Sequence, residues 1–159
     1  MTDNFSFDNL NDNILFENIQ NKHAEYLLIN IFGGNAAIAA NYGTFFTARH
    51  ACEVLFISEV HEVAGGAGAL LQIEKLTGTT APGAGINLLT TSFNLNAAAN
   101  TVQTRDATTT FDFVRSVNLP TIINVGERLA LKHNGAGLAG TSGVSVTIYL
   151  KPLGRGHYS

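Results

Sequence analysis

Apolar and polar side chains alternate strictly along Val144-Ser-Val-Thr-Ile-Tyr-Leu-Lys-Pro-Leu153. Val144, Val146, Ile148 and Leu150 fall on one side of an extended chain, and Ser145, Thr147, Tyr149 and Lys151 on the other. Period two with β-branched and aromatic residues predicts a strand with one buried and one wet face. Pro152 has no N–H for a ladder, so the strand ends there or runs out along an edge. Such a strand needs others to close against.

Upstream segments supply them. Tyr26–Phe32 predicts a strand stopped by Gly33-Gly34, and 44–48 a short one. His50–Glu62 predicts a long strand with Ala51, Glu53, Leu55, Ile57, Glu59 and His61 on one face. His50, Cys52, Val54, Phe56, Ser58 and Val60 take the other. Its centre is apolar on both faces, the pattern of a central strand covered on both sides. Ala69–Thr77 follows with Leu71 and Ile73 inward, and Leu89, Thr91, Phe93 and Leu95 alternate next. Asn100–Arg105 reads as a polar strand at an edge or a subunit contact, and Phe111, Phe113 and Arg115 alternate after it. Val125–Lys132 is a turn entering a strand with Leu129 and Leu131 inward. Asn134-Gly135 signals a hairpin whose loop runs to Gly143. Residues 63–68, 78–87 and 134–143 read as exposed loops by their turn chemistry. Strands about ten residues apart, with no helical pattern in 24–159, predict an all-β antiparallel sandwich, jelly-roll-like in type.

Residues 1–23 break this pattern and read as an extended N-terminal arm, with 24–159 as the sandwich domain. Asparagines and acids are interleaved with Phe5, Phe7, Leu10, Ile14, Leu15, Phe16 and Ile19. Disordered tails are poor in aromatics. Spaced apolar anchors suit a segment that orders against a partner surface, and those seven residues are the candidate docking set. The plainer alternative is an arm folded back over an open edge of its own sandwich.

Charge sharpens the division. Asp3, Asp8, Asp12 and Glu17 against Lys22 give −3, the net charge of the whole 159-residue chain, so the rest sums to zero. Charged residues are 13% of the chain, about half the ~25% of an average soluble protein. Low charge with abundant Gly, Ala, Thr and Asn suits subunit contacts, and equally a plain extracellular β-domain. No basic stripe points to nucleic acid. No apolar run approaches the ~20 residues of a membrane span, and the acidic, polar opening is no signal peptide. Cys52 excludes an internal disulfide and reads as a buried small hydrophobe.

The sequence predicts no catalytic chemistry. His50, Glu53, Glu59, His61 and Glu62 cluster, with Glu59 and His61 about 7 Å apart on one face of an extended strand. They are close enough to lean on one another, but no metal-ligand motif supports a site, and they read as solvated strand-end groups. Ala64-Gly-Gly-Ala-Gly68 lacks the Lys-Ser/Thr and helix that a phosphate loop needs. Glu53 and Glu59 would stand about 20 Å apart, beyond the roughly 5–10 Å of paired-carboxylate glycosidases. Tyr149, Tyr158 and the arm aromatics could form a sugar platform, though the chain has no Trp. No cofactor is expected.

Thr47-Ala-Arg-His-Ala-Cys-Glu-Val54, Glu74-Lys-Leu-Thr-Gly-Thr-Thr-Ala-Pro82, Asn100-Thr-Val-Gln-Thr-Arg105, Gly126-Glu-Arg-Leu-Ala-Leu-Lys132 and Val144–Gly154 together resemble small β-sandwich virion proteins of bacteriophages. The resemblance covers roughly 47–157 and leaves out the arm. It implies a structural protein rather than an enzyme, trimeric about a three-fold axis, decorating or cementing the capsid exterior. Its implied partners are itself and the major capsid protein or another virion protein. The chain lacks a long repeat or coiled-coil shaft, which favours a cap or cement protein over a head-fibre or tail-appendage subunit. A carbohydrate-binding β-sandwich module is the alternative from a different class.

Overall fold

The computed structural model describes residues 43–106, 112–114 and 121–153, and the strand path of 25–29. Its regular elements are all strands: β1 (Glu25–Ile29), β2 (Thr44–Thr47), β3 (Cys52–Val60), β4 (Leu70–Leu76), β5 (Ile86–Asn87), β6 (Phe93–Asn94), β7 (Gln103–Asp106), β8 (Ile122–Ile123), β9 (Arg128–Asn134) and β10 (Ser145–Pro152). Two antiparallel sheets pack against each other as an all-β sandwich. One runs β1-β10-β3-β7 and the other β2-β9-β4-β5. β8 shares the β7 edge of β3, and β6 shares the β5 edge of β4, so each outer strand is broken into two short pieces. The arm, with Phe5, Phe7, Leu10, Ile14, Leu15, Phe16 and Ile19, lies outside the described residues.

The final strand follows its pattern. Val144, Val146, Ile148 and Leu150 are buried, Pro152 is the last residue of β10, and the strand sits between β1 and β3. Leu71, Ile73, Leu129 and Leu131 also point inward, paired across β4 and β9 or packed beside one another in the core. The core lies between the sheets, with Phe45 and Phe46 of the edge strand β2 packed against it.

β3 departs from the expected alternation. Its partner register runs Ile57 opposite Ile148 and Phe56 opposite Tyr149, then slips so that Val54 faces Leu150. Leu55 is the extra residue of a β-bulge, and a one-residue insertion exchanges the two faces of a strand. Cys52 and Val54 therefore point inward before the bulge, and Ile57 and Glu59 after it. Burying an aliphatic side chain is worth about 1.5–3 kcal/mol, so the bulge brings two apolar runs of opposite phase into one core. The apolar character of both faces reflects this phase change, not a covering layer on each side. Glu53 and Glu59 consequently lie on opposite faces.

The strand expected over 89–95 is also different. Within that span only Phe93–Asn94 pairs with β4; Leu88 N–H still donates to Ile73 O at 2.8 Å, and the chain then leaves the ladder, with Leu89 bridged to Phe113 from beyond β7. Thr90 N–H donates to Asp112 O at 3.0 Å and Val114 N–H to Leu88 O at 2.8 Å. This short seam joins the outer edges of the two sheets and closes one side of the sandwich.

Candidate functional site

The seam side holds the main buried polar constellation among the described residues. Glu59 and His61 follow the bulge, so both point into the interior, and they are 1% and 0% exposed. This overturns their reading as solvated strand-end groups. His61 Nδ1 lies 2.9 Å from Glu59 Oε1, and His61 Nε2 lies 3.0 Å from Ala97 O. A carbonyl oxygen only accepts, so Nε2 carries a hydrogen. One proton then bridges Nδ1 and Oε1, and the buried pair is neutral as a unit whichever partner holds it. Burial pushes the Glu59 carboxyl above its ordinary value. The hydrogen bond and charge of His61, and the bond from Gln103, act the other way.

Gln103 completes the constellation from β7. Its Nε2 donates to Glu59 Oε2 at 2.8 Å and to Asn94 O at 2.9 Å, while its Oε1 accepts Asn94 N–H at 3.0 Å. The side-chain amide thus stands in for a peptide group between β7 of one sheet and β6 of the other. Gln72 plays the same part in the gap between β5 and β6. It accepts Leu89 N–H at 3.0 Å and donates to Leu89 O at 2.9 Å. Arg105 adds bonds to Thr91 O and Ser92 O at 3.1 and 3.2 Å, with its guanidinium 4.8 Å over the buried Phe93 ring. An amide offers donor and acceptor in peptide-like geometry, which is what a strand edge left by its neighbour requires.

Two other buried charges serve loops. Glu74 is fully buried, and its carboxylate accepts the N–H groups of Gly83 and Gly85, drawing the 77–85 loop over the outer face of β4. Lys75 points between the sheets and donates to Ile122 O at 3.0 Å, with Glu127 at 3.6 Å. His133 is buried on β9, and burial pushes it below its ordinary value. Its Nε2 has no hydrogen-bond partner among the described residues.

At one end of the sandwich three loops meet: 61–69, 95–102 and 135–143. Gly65 N–H donates to Leu95 O at 2.8 Å, Asn96 Nδ2 to Gly65 O at 2.7 Å, and Gly66 N–H to Gly137 O at 2.6 Å. A Cβ on Gly135, whose φ is +84°, would stand 1.9 Å from Gly68 O. Most of the residues of 63–68 and 135–143 are exposed, as expected of these loops, and their glycines also let the two backbones pack directly on each other. The opposite end carries Arg49, Glu53, Glu127, Arg128 and Lys151. There Arg128 Nη2 holds Gly78 O and Thr80 O at 3.1 and 2.7 Å.

Among the described residues no group of three or more His, Cys, Asp or Glu is placed to hold a metal ion. Cys52 is buried in the core, and Tyr149 meets Phe56 edge to face at 5.1 Å between ring centroids. Sequence reading placed Glu59 beside His61 but missed Gln103, Gln72, Glu74 and Lys75 as interior partners. Nothing in their spacing signals these contacts, because each is made to a loop or a strand remote along the chain. No protein family, curated protein sequence or solved structure matches this chain.

Proposed function

We propose that the protein is a non-enzymatic structural component of a bacteriophage virion. In this reading residues 24–159 form the outer body, self-assembled as a trimer on the capsid exterior. Residues 1–23 dock on the major capsid protein or a neighbouring virion protein. The observation that carries the reading is the strand order, β1-β10-β3-β7 facing β2-β9-β4-β5. With the broken outer strands counted as one position each, the first and last strands lie side by side in both sheets. That order supports a jelly roll, an architecture used by viral capsid and lectin domains.

Fold alone does not fix function, so the buried side chains bear on the choice. Glu59, His61, Glu74 and Lys75 are engaged by the protein's own backbone and side chains. This favours a scaffold role over catalysis. The low charge of the body and the spaced apolar anchors of the arm favour contact with other protein subunits.

Cosedimentation with capsids of the virus whose genome encodes the chain tests the proposal. The full chain binds saturably, whereas residues 24–159 keep their β-type circular dichroism and stay in the supernatant. Equal binding by the truncated chain would remove the docking role from the arm. Absence of the protein from purified virions would overturn the whole reading.

A further inference from the structure

The imidazole of His61 stands between two groups that accept hydrogen bonds. Nδ1 is 2.9 Å from Glu59 Oε1, and Nε2 is 3.0 Å from Ala97 O. A neutral imidazole has one N–H and can serve only one of them. The second bond needs a further proton, carried on Nδ1 or on Oε1. Both side chains are buried, so solvent does not stand in for a missing bond. Glu59 is itself fixed from β7, where the Gln103 amide is held by both the N–H and the carbonyl of Asn94.

His61 is also the anchor of the neighbouring loop. Beyond the local turn from Ala97 N–H to Asn94 O, the hydrogen bonds of 97–102 among the described residues both end on it. Ala97 O takes the ring N–H, and Asn100 N–H donates to the His61 carbonyl at 2.8 Å. We propose that Glu59 and His61 form a proton-operated latch on the 95–102 loop, closed while the bridging proton is present and released as it is lost with rising pH.

The direction follows from where the proton is needed. In the closed form the geometry requires it. Once the loop opens, ring and carboxyl meet water, and ordinary groups of these kinds lose their protons above about pH 6.5 and 4.3. From about pH 6.5 upward, opening therefore releases a proton and becomes easier, by at most about tenfold per pH unit. The rise levels off where the closed form also loses the proton. Burial, which pushes the Glu59 carboxyl up, likewise favours the proton-bearing closed form.

Few other titratable groups face the pair among the described residues. β6 and the 95–102 and 135–143 loops contain none, and β10 sets Val146 opposite Glu59. Lys75 of β4 lies toward the other end of the core, at Ile122 O. Arg105 shares a face of β7 with Gln103 and stays charged throughout. Glu62 is exposed beside His61. His133, on β9 of the facing sheet, is pushed below its ordinary value by burial and is neutral where this limb begins.

Hydrogen exchange of the Asn100 amide, followed by NMR on the full chain, tests the latch. Its rate at each pH is divided by that of an unstructured peptide. Wild-type protection falls by at least about threefold between pH 6.5 and 8.5, and the His61 ring resonances shift over the same interval. In Glu59→Gln the new amide donates to Nδ1 of a neutral ring, whose Nε2 keeps its hydrogen for Ala97 O. Both bonds then survive without an extra proton, and Asn100 protection does not fall over that range. Asn100 exchanges faster than Leu131 of β9 throughout, because the loop opens without the sandwich. Level wild-type protection overturns the latch, as do unmoved His61 resonances or an equal fall in Glu59→Gln. Equal protection of Asn100 and Leu131 makes the event global unfolding and overturns it too. The latch stands apart from the virion proposal, which capsid binding reads separately.

Discussion

Glu59 shows how a single residue's role depends on what its neighbours can donate. Each of its oxygens has one partner, His61 Nδ1 and Gln103 Nε2. Glu59→Gln can keep both contacts, with the new amide donating to a neutral His61 and its oxygen accepting Gln103. It should therefore unfold at a urea midpoint close to that of the wild type. Glu59→Leu strands the buried Nδ1 of His61 and one N–H of the half-buried Gln103 amide; an unsatisfied buried group costs about 1–3 kcal/mol and the half-buried one less, so a loss of roughly 1–4 kcal/mol is expected. Equal midpoints for the Leu and Gln variants would show that the constellation contributes shape rather than hydrogen bonds.

The elements owe their arrangement to two devices, the bulge in β3 and backbone contact between glycine loops. The second can be measured by a pair of substitutions. Gly140 has φ +100° with open space at its Cβ position, whereas Gly135 has φ +84° and Gly68 O in the way. Both alanine variants suffer left-handed strain of about 1–2 kcal/mol. Gly135→Ala must in addition push the 63–68 loop aside, and should lose at least about 2 kcal/mol more than Gly140→Ala in chemical denaturation. Equal losses would mean that the two loops separate without cost. The same contact explains why these glycine-rich segments are unsuited to cradling phosphate: their backbones already face each other.

For the molecule as a whole, protonation is coupled to opening the sandwich. His133 lies between the sheets with its pKa depressed by burial, so it accepts a proton more readily when unfolded. The unfolded chain then binds more protons once pH falls below the ordinary value of about 6.5. Stability contributed by neutral His133 is complete above that pH and is lost as pH drops toward the depressed folded value. His133→Leu should flatten this limb: the urea midpoint of the wild type falls relative to the variant's between about pH 6.5 and pH 5. Parallel profiles would assign the acid sensitivity to other groups.

The sequence alone determined the class of the fold and much of its core. Strict alternation identified β10, and the inward pairs Leu71 with Ile73 and Leu129 with Leu131 followed from period two. Polar Asn100–Arg105 was legible as an edge, where β7 lies. The division of charge between arm and body is likewise a property of the sequence. Tertiary structure decided the rest, because its determinants act between residues far apart along the chain. The bulge at Leu55 arises from the register of β10 against β3, and it turned Glu59 and His61 from a wet strand end into the interior. Gln103 reaches Glu59 only because β7 pairs with β3, and Gln72 meets Leu89 only where the outer strand leaves β4. Periodicity reports which residues share a face of a regular strand; which face is covered, and by what, is set by pairing and loop packing that local sequence does not encode.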